Sequence, residues 1–285
     1  MPGVRASTCR SSGAGPINPS LSTSGGHAPR RAAARKDRTL GLLFAGVLLA
    51  WIVVARTMGG MDGGPGTPLG PFPAFLASWV LMLAAMMLPA ELRFTLVFAR
   101  MSREDAPAAG GRVVAFLAGY ACVWSLYGAL AWVLDALLRA LAPAFLGWTA
   151  YGPMAAGLVV VAAGLFQFSR WKQACLTHCV SPFGFFTRHW HTGLVGATRL
   201  GFTHGLYCLG CCWALMAVMF AVGVMSLYWM SLLGLAMFVE KLAPAGLRIA
   251  PVIGATLVAL GIWIACDPAS VPGLTLPSAT VHHLH

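Results

Sequence analysis

The sequence predicts an all-α, polytopic transmembrane bundle, and three observations carry that prediction. Of 285 residues, 58% are hydrophobic and only 9% charged. The mean hydropathy is +0.76, and too few polar side chains remain to cover a soluble globule. Several apolar stretches approach the roughly 20 residues that cross a bilayer as helix, and no regular series of short alternating strands is present.

Residues 1–38, rich in Ser, Gly, Pro, Ala and Arg without an apolar run, read as a disordered basic tail. The first apolar run starts near Leu40 and is followed by no small-residue cleavage site, so it reads as a retained first helix. The bundle then occupies 39–267, and 268–285 form a short tail. Seven spans are placed at 40–55, 72–92, 113–138, 151–169, 200–222, 226–243 and 249–266. Merging the fifth and sixth would leave six, so the turn at Gly223 to Ser226 decides the number.

Charge supports seven. With a cytoplasmic N-terminus, 17 of the 19 Lys and Arg fall on one side, and only Arg56 and Arg139 on the other. The formal charge of +11 therefore reflects topology and attraction to anionic lipid, and nothing in its pattern points to nucleic acid.

Five of the eight cysteines lie between 175 and 212. Cys175 and Cys179 sit in the basic segment between the fourth and fifth spans, where a reducing cytoplasm keeps thiols free. If that segment is helical, both sulfurs lie on one face, one turn apart; a chance pair on an interfacial helix is the plainer reading. In the fifth span, Cys211 and Cys212 lie at about −60° and +40° from Cys208, with His204 at about −40°. Met219 shares that stripe at about +20°, but lies roughly 16 Å along the axis. A compact site therefore draws on His204, Cys208, Cys211 and Cys212, or else these are small residues at a helix interface. Gly201 and Gly205, on the same side, allow a neighbouring backbone to approach.

Met82 and Met86, one turn apart in the second span, offer soft thioethers, although methionine is also ordinary core filler. Pro89 kinks that helix near its cytoplasmic end. Met58 and Met61 form a weaker pair in the first outer loop. Glu91 and Glu240, with Lys241 beside the latter, read as interfacial carboxylates paired with snorkelling cations. His178, His189 and His191 surround the Cys175 segment, and His282, His283 and His285 end the chain. No Walker loop, dinucleotide fingerprint, Gly-x-Ser-x-Gly elbow or His-Glu-x-x-His is present, which removes the common catalytic classes.

The run Ala85-Met86-Met87-Leu88-Pro89-Ala90, then Trp171-Lys172 with Cys175 and Cys179, then Gly201-xx-His204-Gly205-xx-Cys208-Leu209-Gly210-Cys211-Cys212-Trp213-Ala214-Leu215-Met216 and Glu240-Lys241 carry a resemblance. Together they resemble the bacterial family of predicted metal-binding integral membrane proteins, a domain of unknown function with a copper-chaperone-like label. The likeness spans about residues 40 to 260. Val180 stands where the family pattern has Arg. The resemblance implies a metal-linked role in the inner membrane and supplies no established reaction.

The expectation is a multi-pass inner-membrane protein, not an enzyme, that handles Cu(I), with Zn(II) bound through His204 as the chemical alternative. Cys208, Cys211 and Cys212 are the expected primary ligands, and Met82 with Met86 a thioether step if their helix meets the fifth span. Cys175 and Cys179 form a separate cytoplasmic pair, about one leaflet away, for loading or unloading. Partners are the lipid bilayer, the metal ion and a metal-donor or metal-acceptor protein. A membrane thiol-disulfide oxidoreductase and a structural assembly subunit are the rival readings.

Overall fold

The computed structural model describes residues 41, 44–57, 68–102, 109–141, 152–224, 226–243, 246–272 and 274. The chain divides into Met1–Leu42, of which only Gly41 is described, and Leu43–His285, which is the unit treated below. The N-terminal tail, Met58, Met61 and the C-terminal histidines lie outside the described residues.

Ten α-helices are described: α1 (Phe44–Thr57), α2 (Phe72–Ala90), α3 (Leu92–Met101), α4 (Ala109–Leu141), α5 (Gly152–Phe166), α6 (Arg170–Val180), α7 (Pro182–His189), α8 (Gly193–Val222), α9 (Leu227–Leu242) and α10 (Gly246–Cys266). A short 3-10 turn follows at Pro268–Ser270, and no strand occurs among the described residues. Each of the seven expected spans overlaps a helix, without the helices thereby being seven crossings. By length and composition, α2, α4, α8 and α10 can cross a membrane, and a fifth crossing arises if the bent pair α5–α6 counts as one. The shorter helices α1 and α9 fall below that length.

Local chemistry explains the breaks. Pro89 lacks the N–H that would bond one turn back, and α2 ends at Ala90; Glu91 stands alone at φ −90° and ψ 0° before α3 begins. Its own N–H still reaches the Met87 and Leu88 carbonyls at 3.0 and 3.2 Å. After α5, Ser169 caps α6 by accepting the Lys172 N–H at 3.1 Å, and the chain turns by 65°. Gly223, at φ +114°, ends α8, so residues 200–243 form two helices rather than one.

At the centre stands α8, against which α4, α5, α6 and α9 pack. The expected close approach at its glycine face comes from α4: a Cβ on Gly201 would strike the Phe116 carbonyl, and one on Gly205 would meet Val123 at 3.0 Å. Gly201→Ala should therefore lever the two helices apart and cost about 1–3 kcal/mol. A melting curve in detergent checks this; an unchanged midpoint would mean that the contact carries no stability.

A second core of Phe94, Phe98, Phe116, Phe185 and Phe186 joins α3 and α7 to the adjoining parts of α4 and α8. Helices α3 and α7, which lie outside the seven expected spans but for Leu92, bury these rings while Arg93, Arg100 and Arg188 stay exposed.

Among the described residues, three of the 17 cations counted for topology are buried inside the protein, Arg112 among them at 4% exposed. The other two are lysines. Lys172 is 0% exposed and Lys241 2%. Both spend their charge on interior carboxylates.

Candidate metal centre

Cys208, Cys211 and Cys212 are buried on α8 as their spacing predicts, and all the described cysteines are free thiols. They face two ways. Cys211 Sγ lies 3.4 Å from Cys212 Sγ and 3.7 Å from Cys179 Sγ of α6. Cys208 Sγ turns instead toward α4 and α9, where the Lys241 ammonium donates to it at 2.9 Å and the Tyr120 hydroxyl lies at 3.1 Å.

The contact with Cys179 corrects the expectation of a separate cytoplasmic pair one leaflet away. The 65° bend after α5 folds α6 back along α8, and Cys179, 4% exposed, reaches Cys211 directly. Cys175 stands apart from these sulfur contacts: it is half-buried, with its Sγ over Gly210, where a Cβ would stand 2.6 Å away. The two sulfurs of the Cys-xxx-Cys pair thus separate into one interior thiol and one at the helix surface.

His204 is buried one turn before Cys208, but its Nε2 is held by Glu91 Oε2 at 2.5 Å. Its ring stacks on Phe94 at 3.9 Å between centroids, and its Nδ1 has no hydrogen-bond partner. The stripe therefore places His204 correctly on the helix, while its accessible donor chemistry is directed at a carboxylate rather than at the sulfurs.

Met82 and Met86 are buried in the same apolar core as the cysteines. Their helix packs chiefly against α9 and α4 rather than against α8, with the Met86 side chain over Gly234 of α9, 3.5 Å from where a Cβ would stand. Contact between α2 and the fifth span, the condition attached to a thioether step, is made by Trp79 stacking on Phe220 at 5.5 Å. Of the histidines near α6, His178 packs beside Tyr207 at 4.4 Å, and His189 Nδ1 contacts the Phe185 carbonyl at 3.1 Å. His191 is exposed.

Glu91, Glu240 and Lys241 are the largest correction, because all three are buried within the protein rather than exposed at their helix ends. Glu91 Oε1 accepts from Lys241 and, at 3.4 Å, from the Tyr120 hydroxyl. Glu240 Oε2 accepts from Lys172 at 2.7 Å, with both side chains fully buried. Tyr120 and Lys172 were not singled out from sequence. The available signal was the pairing of two carboxylates with lysines inside apolar helices, a rare and costly arrangement that marks a functional interior by default.

The donor set fits a soft ion in part. With metal–sulfur bonds of about 2.3 Å, sulfurs 3.7 Å apart subtend roughly 110° at an ion between them. That is an unstrained angle for two thiolates. As placed, however, no group of three or more His, Cys, Asp or Glu among the described residues could hold a metal ion.

Fold and site define a helical protein, with four or five helices able to cross a membrane, around an interior of thiols and ion pairs. The chain belongs to the copper chaperone family PpoB2, whose family model matches residues 76–264 and takes in α3 to α9 entire, most of α2 and most of α10. Membership gives the protein a copper-related role at the level of the family. No curated protein and no solved structure matches the chain.

Proposed function

We propose that this protein is a multi-pass inner-membrane copper chaperone that takes up and passes on Cu(I) through Cys208, Cys211, Cys212 and Cys179, without catalysing a reaction. The observation that carries this reading is the run of thiol contacts from Cys179 through Cys211 to Cys212, closed by Cys208 one turn away. Soft thiolates select Cu(I), and the cation itself compensates their charge in a dry interior. The zinc alternative drawn from the sequence loses His204, which is committed to Glu91, and between copper and a four-thiolate zinc set the copper chaperone family favours the former. Met82 and Met86 act as neighbouring thioethers through the shared core. Seven spans with a cytoplasmic N-terminus remain the topology that the distribution of loop arginines supports best.

Titration of reduced, metal-free protein in detergent with Cu(I) tests the proposal. Changing Cys208, Cys211 and Cys212 together to Ser should weaken binding by more than about 100-fold, since even outer-shell partners are worth 10–100-fold. Tight binding that survives the triple change would refute the site. A second reading, a membrane thiol oxidoreductase, draws on the Cys179–Cys211 contact, because two helices bring these sulfurs within a small movement of the roughly 2.05 Å disulfide length. It predicts a reversible Cys179–Cys211 disulfide. Absence of Cu(I) binding by the unaltered protein would favour an assembly subunit.

A further inference from the structure

We infer that Lys241 is a resident cation of the thiol centre, occupying the sulfur face of Cys208 that Cu(I) must take and stepping back onto Glu91 when the ion arrives. The inference rests on the copper-binding reading above and assigns that site its means of release.

Cys208 lies between two polar neighbours, Lys241 Nζ at 2.9 Å and Tyr120 Oη at 3.1 Å. An N–H donated to sulfur and a metal–sulfur bond compete for the same lone pairs. The ammonium hydrogen bond falls on Cys208; Cys211 and Cys212 contact each other and the Cys208 side chain, and Cys211 also reaches the Cys179 sulfur and the Cys208 carbonyl. An ion arriving among those three thiols therefore recruits Cys208 only by moving the ammonium.

The ammonium has somewhere to go. Lys241 already donates to Glu91 Oε1, and Glu91 is fixed by His204 on its other oxygen and by Tyr120. Leaving the sulfur costs Lys241 one of two partners and no change of countercharge. A lysine suits this better than an arginine, being a compact point charge on a flexible stem rather than a rigid fork. The ammonium stays in the interior on Glu91, so the charge that Cu(I) brings is balanced by the thiol proton given up as the copper–sulfur bond forms, and the net buried charge is the same before and after. In balance, one copper–sulfur bond forms as the Cys208 S–H bond and one N–H···S hydrogen bond break; the thiol proton passes to solvent, no electron moves, and the ammonium keeps its protons. Release runs the same exchange backwards, with Lys241 returning to Cys208 as copper departs to a soft-ligand acceptor.

The test compares the rate at which Cu(I)-loaded protein yields its ion to a colorimetric Cu(I) chelator. Lys241→Met should bind Cu(I) at least as tightly and release it about 10-fold more slowly, as expected when a like charge is removed from beside a bound cation. Lys241→Arg should restore most of the rate. Because Lys241→Met strands Glu91, the charge-balanced pair Glu91→Gln with Lys241→Met is measured alongside and should be equally slow. In unaltered protein labelled with ¹⁵N-lysine, one of the two buried ammonium signals should shift on adding Cu(I). Release at the unaltered rate in both variants, weaker binding by Lys241→Met, or no shifted ammonium would each overturn the inference. Failure of the unaltered protein to bind Cu(I) would instead remove the copper-binding reading on which it stands.

Discussion

Glu91→Ala is expected to cost about 3–5 kcal/mol, the loss that follows when one partner of a buried ion pair is removed. Glu91 is 2% exposed and supports Lys241, His204 and Tyr120 at once. Without it the Lys241 ammonium keeps only the Cys208 sulfur, and His204 loses its Nε2 partner while Nδ1 already lacks one. Thermal unfolding in detergent reads the effect. Glu91→Gln, which keeps an acceptor but not the charge, should fall between the two, and the balanced change with Lys241→Met should recover much of the loss. A deficit below about 1 kcal/mol for Glu91→Ala would place the carboxylate in contact with water, as a surface pair would be.

Glu240→Ala should be of similar size for a different reason. Lys172 and Glu240 are both fully buried and meet at 2.7 Å, so the single change leaves an ammonium in the interior with no acid beside it. About 3–5 kcal/mol is again expected. Replacing both residues with Met should be close to neutral or stabilising, because an apolar pair of similar volume avoids the desolvation of two ions. A double-mutant cycle on unfolding free energies measures the coupling. Were the double change as damaging as the single, the pair would have to be doing more than neutralising itself, and Glu240 Oε1, which has no hydrogen-bond partner, would be the atom to suspect.

These carboxylates also mark where sequence reading ended. Composition alone suffices for a helical bundle, because hydrocarbon leaves backbone groups no other economical way to be satisfied. The stripe of His204, Cys208, Cys211 and Cys212 was legible because helical phase is a local property. So were the Gly201 face and the break at Pro89. What was not legible is everything joined over long separations. Lys241 meets Glu91 across 150 positions and Cys208 across 33. Nothing in the periodicity of α9 distinguishes a lysine that snorkels to a headgroup from one that turns inward to a thiol. Cys179 was misjudged for a related reason: a basic, histidine-bearing segment suggests a loop at the membrane surface, whereas the bend at Ser169 carries it back against α8. The α2 methionines were likewise visible as a stripe, but the helix they would face was not.

The bend between α5 and α6 has a mechanical consequence. Three of the four thiols share one helix and keep their mutual spacing whatever surrounds them. The fourth comes from an element joined to the bundle through a corner of three residues, 167–169, and held on its far side by Ser181 and the short helix after it. On the copper-binding proposal, the number of sulfurs at the centre is thus a function of one angle. Opening that corner would part Cys179 from Cys211 and strain the Lys172–Glu240 ion pair with it, since both Cys179 and Lys172 ride on α6, while the three thiols of α8 keep their places. A change in geometry at the corner is thereby converted into a change in how firmly a soft ion is gripped.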